Sequence, residues 1–204
     1  MSNKIHPNRI GEDIHLPIEI FAIIIDHLGT LPALASCRLV SHAFCSLASP
    51  LFFSSLQLRE CLPRWASRRD RIAAFRDRAE KLDQILTAGH GIADLVRTLT
   101  LCCHKVNLQN PLNGILISGI LHRLPRIRKF TLESEEWPLQ FSSITGDFIQ
   151  AACRSPNITT LDLDNIRGFP ITVITTCPNL RCLRLSRIEF RVNPFFFLFF
   201  FALI

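Results

Sequence analysis

A six-residue pattern, apolar-x-x-apolar-x-Leu, recurs along the second half of the chain and constrains its fold more than any other feature. The copies are VRTLTL, IRKFTL, ITTLDL and LRCLRL, starting at Val96, Ile127, Ile158 and Leu180, at intervals of 31, 31 and 22 residues. Three of them follow a proline two residues upstream, at Pro125, Pro156 and Pro178. Within the copies Leu99 and Leu101, Phe130 and Leu132, Leu161 and Leu163, and Leu183 and Leu185 repeat with period two. That is the period of a strand burying one face. The helix-patterned stretches NGILISGILHRL and TGDFIQAACR, and a shorter ITVITTC, lie between the copies. A strand–helix unit of this size cannot cover its own apolar edge, so neighbouring units must stack. The expected fold class is mixed α/β, with parallel strands in an irregular array over residues 91–190, built from four strand units.

The N-terminal segment DIHLPIEIFAIIIDHLGT obeys a different period. Pro17 suits a helix start, Glu19 complements the first-turn dipole, and Gly29 is positioned as a stop. Ile18, Ile20, Phe21, Ala22, Ile23, Ile24, Ile25 and Leu28 make this helix apolar almost all round. A surface helix shows a polar face, so a second covering surface is expected here, from a partner. LPALASCRLV and SHAFCSLA follow as two more short helices, with Ser41 as N-cap of the third and Pro50 as its end. Leu34, Cys37, Val40, Phe44 and Leu47 recur at helical steps of three and four.

Together, LPIEIFAIIIDHL and LASCRLVSHAFCSLASPLFF resemble an F-box over residues 14–52: a Leu-Pro-x-Glu opening, an apolar helix, and an Arg-x-Val-Ser-x-x-Phe segment closed by proline. With the repeats behind it, the chain resembles the F-box/leucine-rich-repeat family to residue 190. The resemblance implies an N-terminal three-helix F-box at 12–54 that binds the Skp adaptor of a cullin-based ubiquitin ligase. Leu16, Pro17, Ile20, Ile24, Leu28, Leu39 and Val40 would make that contact. It also implies a leucine-rich-repeat solenoid that holds a protein substrate. The strand positions alternating with the buried ones, Thr98, Thr100, Lys129, Thr131, Thr160, Asp162 and Arg184, should line its exposed face. A second reading keeps the same residues as an internal core: the bundle then caps a repeat scaffold that has no ligase role.

Residues 55–90 read as a connector with Pro63, followed by a linking helix. Ser67 and Asp70 match a capping box and Gly89 an end. Ile72, Phe75, Ala79, Leu82 and Leu86 form its apolar stripe. Arg68, Arg69, Arg71, Arg76, Arg78 and Lys81 lie outside it, interleaved with Asp77, Glu80 and Asp83, a pattern expected of a solvated, self-paired face.

The formal charge is +6. Residues 1–60 carry −1, residues 61–90 +3 and residues 91–204 +4, so the excess is diffuse. With no zinc-finger, RNA-recognition or basic-zipper signature, no specific nucleic-acid partner is expected. The eight cysteines sit mostly in apolar segments, behind a polar N-terminus that lacks a signal sequence. The expectation is a reduced chain in the cytoplasm or nucleus. No phosphate-binding loop, dinucleotide fingerprint, nucleophile elbow or HExxH occurs. CCHK at Cys102–Lys105 lacks a second Cys/His pair at zinc spacing. No metal, cofactor or catalytic activity is expected. PFFFLFFFALI closes the sequence at 194–204. It offers a membrane-attachment alternative, although ten apolar residues fall short of the roughly 20 needed to span a bilayer. A longer natural array, ended here by a misjoined and aggregation-prone tail over 191–204, is the expectation for this segment.

Overall fold

The computed structural model describes residues 17–59, 66–89, 91–103, 110–134, 139–140 and 143–190. The chain forms two compact units, divided between Phe52 and Phe53. The expected hydrophobic tail and Leu16 lie outside the described residues.

Three helices make the first unit: α1 (Ile18–Asp26), α2 (Leu31–Arg38) and α3 (His42–Phe52). Each of the last two is started by a hydroxyl. Thr30 Oγ1 accepts from the Ala33 amide at 3.4 Å and Ser41 Oγ from the Phe44 amide at 3.3 Å. Ile25, Leu34 and Ala48 form the buried centre, with Leu28, Cys37, Phe44, Leu47, Leu51 and Phe52 packed around it. The Phe21 and Phe44 rings meet at 5.1 Å, and the Arg38 guanidinium lies 4.7 Å from the centre of the Phe52 ring. Two ends differ from expectation. Helix α3 continues through Pro50 to Phe52, because a proline two residues from the end sacrifices a single helical bond. Helix α1 stops at Asp26, where His27 Nδ1 lies 2.8 Å from the Ile23 carbonyl oxygen, so Gly29 is not its cap.

The second unit contains β1 (Ser55–Arg59), α4 (Arg68–Ala88), α5 (Ile92–Leu95), β2 (Thr98–Cys103), α6 (Pro111–His122), β3 (Lys129–Ser134), β4 (Leu139–Gln140), α7 (Ser143–Arg154), β5 (Thr160–Asp164) and β6 (Ile166–Phe169). A 3-10 turn at Ile171–Thr176 leads on to β7 (Cys182–Ser186) and β8 (Glu189–Phe190). The fold is mixed α/β. Its main sheet is parallel throughout, in the order β1-β2-β3-β5-β7. The apolar repeat positions fall into two aligned rows, Leu56–Leu99–Phe130–Leu161–Leu183 and Leu58–Leu101–Leu132–Leu163–Leu185. They bury against Phe75, Ala79 and Leu86 of α4, Ile117 and Ile120 of α6, and Ile149 and Ala152 of α7. On the outermost strand Leu185 remains 36% exposed.

The connector over 55–66 is therefore corrected at its start. FSSLQL, from Phe53, is a further copy of the repeat pattern, and its strand β1 pairs in parallel with β2, making five strand units. It falls directly behind the apolar end of α3, which hides the boundary from a reading of periodicity. A second sheet, β4-β6-β8, was also not foreseen, since two of its strands are two residues long. Asn165 joins the two sheets at a left-handed backbone position, φ 60°.

In α4 the Ser67 hydroxyl caps the Asp70 amide at 3.2 Å, and Gly89 ends the helix. The expected outer face holds except at Arg71. That side chain is buried, with Nε donating to the Ala66 carbonyl just ahead of the helix. The cysteine expectation also needs correction. Cys153 on α7 and Cys177 after the 3-10 turn are joined in a disulfide, because stacking of consecutive repeat units brings their Cα atoms to 4.4 Å. The other described cysteines, 37, 45, 102, 103 and 182, are not joined in disulfides.

Candidate functional sites

The first unit presents apolar side chains it does not cover. Ile20 is 41% exposed, Ile24 50%, Val40 68% and Leu39 88%, and Ile18, Ile23 and Leu31 are exposed as well. The cause is local. Helix α1 has isoleucines around its circumference, and a core centred on Ile25, Leu34 and Ala48 buries only one strip of them. Leu39 and Val40 occupy the turn between α2 and α3 and so lie off the helical stripe that the spacing of Val40 implied. Of the residues implied by the resemblance, Pro17, Ile20, Ile24, Leu39 and Val40 are exposed. Leu28 instead turns inward against the unit's own core. So small a unit leaves a group of large aliphatic side chains in contact with solvent.

The second unit carries an ordered polar face opposite its helices. Parallel register aligns it into rows: Ser55–Thr98–Lys129–Thr160–Cys182, then Gln57–Thr100–Thr131–Asp162–Arg184, then Arg59–Cys102–Glu133–Asp164–Ser186. All seven expected positions fall in the first two rows. Lys129 Nζ reaches diagonally to Asp162 Oδ2 at 3.3 Å. Thr131, expected to be exposed, is only 4% so, because it sits on the central strand between two others, beside that ion pair. Its hydroxyl has no hydrogen-bond partner among the described residues.

The third row was missed, since nothing in the pattern extends each strand beyond its second leucine. Cys102 is buried there, its Sγ 3.2 Å from Gln57 Nε2 and donating to Glu133 Oε2 at 3.3 Å. At the row's far end Arg187 Nε donates to Asp164 Oδ1 at 2.9 Å. This bond holds the Asp164 carboxyl below its ordinary value, against the opposing effect of burial. Arg59, Lys129 and Arg184 stand against Glu133, Asp162 and Asp164, so the grid is balanced in charge.

At the N-terminal edge of the same sheet, a cavity of about 720 Å³ opens between the residues that precede the strands, and four arginines line it: Arg97, Arg126, Arg128 and Arg181. The sequence contains the signal, an arginine second in VRTLTL, IRKFTL and LRCLRL, at a position just outside the period-two alternation of the strands. Among the described residues no group of His, Cys, Asp and Glu is arranged to hold a metal ion. No helix there is long and apolar enough to cross a membrane. Comparison with known families finds no matching family model, and comparison with curated proteins finds no match.

Proposed function

We propose that the chain is a non-catalytic substrate-recognition adaptor: an F-box that binds the Skp adaptor of a cullin-based ubiquitin ligase, joined to a leucine-rich-repeat array that holds a protein target. The observation that carries this reading is the uncovered aliphatic group Ile20, Ile24, Leu39 and Val40 on a three-helix unit. A partner groove that takes up these side chains removes their apolar area from water. The residues coincide with those the F-box resemblance assigns to the adaptor.

The polar grid supports a protein target. Its three cations and three anions are interleaved with threonines, which suits a peptide or folded partner of mixed charge better than a phosphate backbone. The mechanism is then proximity. One unit holds the ligase and the other the target, raising the effective concentration of target near the ubiquitin-carrying machinery.

Co-purification of the Skp adaptor with the full chain tests the proposal. The wild-type chain should retain the adaptor, and Ile24→Ser with Val40→Ser should lose it while the chain stays folded by circular dichroism. A wild-type chain that retains no adaptor would leave the repeats as a scaffold outside the ligase and overturn the reading.

A further inference from the structure

We propose that the arginine-lined cavity at the N-terminal edge of the main sheet binds a small, multiply phosphorylated anion, independently of any ligase role. The backbone fixes the site. Arg97, Arg128, Thr159 and Arg181 each directly precede a strand, and each is bonded to the next. The Arg97 carbonyl accepts from the amides of Arg128 and Lys129 at 2.7 and 3.0 Å. The Arg128 carbonyl accepts from Thr159 and Thr160 at 2.9 and 3.0 Å, and the Thr159 carbonyl from Arg181 and Cys182 at 2.8 and 3.0 Å. Arg97 and Arg128 are thus one strand spacing apart, about 4.8 Å, and Arg181 stands two spacings beyond Arg128.

The turns beneath are held by a second ladder. Asn179 Nδ2 donates to the Pro156 carbonyl at 2.7 Å, and Asn157 Nδ2 donates likewise to the Pro125 carbonyl. Prolines and asparagine bonds make this edge rigid, so the arginines are presented from a fixed frame.

The charge is unbalanced. Arg126 reaches Asp94 at 3.8 Å, a contact between two largely exposed groups that neutralises little. Arg97 Nη1 is turned to the carbonyl oxygens of Asp94 and Val96. Arg128 and Arg181 have no carboxylate partner among the described residues. Four guanidiniums against one carboxylate, at spacings of about one and two strands, match a ligand with two or more phosphoryl groups, each able to take bidentate hydrogen bonds.

Three features select a small anion over a nucleic-acid strand. The cavity has the volume of a small-molecule site. Among the described residues no aromatic side chain lines it, so they offer no platform on which a base could stack. The arginine row is also finite, because the residue equivalent to Arg97 before β1 is Ser54.

Titration calorimetry of the full chain with inorganic tripolyphosphate tests the site, with inorganic monophosphate for comparison. Tripolyphosphate should bind at least about tenfold more tightly than monophosphate, and Arg128→Ser with Arg181→Ser should weaken it by about tenfold or more. These exposed arginines bear no contact that the fold requires, and circular dichroism verifies that the variant is folded. Arg68→Ser with Arg69→Ser removes the same charge from α4 and should leave affinity unchanged. Equal weakening by both pairs would show a diffuse field rather than a site. Absence of tripolyphosphate binding, or tighter binding of a single-stranded oligonucleotide lost in the same variant, would overturn the proposal.

Discussion

The side-chain amide of Asn165 donates to the carbonyl oxygen of Ser134 at 3.1 Å, tying the end of β5 to the end of β3. The Asn165 backbone continues the tie: its amide donates to Ser186 at 2.9 Å and its carbonyl accepts from Leu139 at 2.7 Å. One buried residue thus links both sheets, in a left-handed conformation that asparagine tolerates better than most residues. Asn165→Ala loses the side-chain bond, leaves the Ser134 carbonyl without this donor and strains the backbone. It should destabilise the chain by about 2–4 kcal/mol. Asn165→Gly relieves the strain and should cost less. Urea denaturation of both variants tests the order, and equal midpoints would contradict it.

Thr131 presents the opposite case. Its hydroxyl is buried and has no partner among the described residues, so the fold bears the cost of desolvating it. Thr131→Val keeps the shape and removes the polar atom, and should raise stability by about 1 kcal/mol. A higher urea midpoint at unchanged slope is the expected result. A lower midpoint would mean that the hydroxyl has a partner in solution, such as water.

The Cys153–Cys177 bond closes a loop of sequence separation 24 between α7 and the segment leading to β7. Loops of this size gain about 3 kcal/mol from a disulfide, through restriction of the unfolded chain. Added dithiothreitol should lower the wild-type denaturation midpoint and leave Cys153→Ser with Cys177→Ser unchanged. If the double variant responds as the wild type does, the bond does not form in solution.

The sheet was legible where each strand carries two large apolar residues at period two, so Leu99 and Leu101, Phe130 and Leu132, and Leu161 and Leu163 are buried pairs in the expected alternation. Strand β1 was obscured because Phe53 continues an apolar run from the preceding helix, so composition does not mark the junction. The second sheet has strands too short to show a period. The exposed isoleucines of α1 were foreseen from their all-round distribution, whereas the inward turn of Leu28 depends on packing against Ile25 and Leu34. Thr131 and Arg71 share one lesson. A polar letter marks the exposed face of an isolated element, but neighbours from elsewhere in the chain decide what solvent reaches.

The Asp164–Arg187 pair gives the fold a specific acid response. Arg187 donates two hydrogen bonds to the Asp164 carboxylate, which lowers its pKa beneath the ordinary 3.8; Ser186 and the Asn165 backbone act in the same direction. A carboxyl with a depressed folded pKa stabilises the native state above its unfolded pKa, and that contribution is lost as pH falls through the folded value. Its window therefore lies from about pH 4 downward. The pair also holds Arg187 at a left-handed position, φ 51°, at the end of β7. Asp164→Asn keeps the shape but removes the charge, so the variant should be less stable than wild type at pH 7. The gap should narrow below about pH 4, where wild-type Asp164 takes up its proton. Other carboxyls titrate in both proteins, and the difference between the two curves isolates this one. Denaturation midpoints measured from pH 7 to pH 2.5 provide the test, and a gap that stays constant across that range would show that the pair carries no acid-sensitive stability.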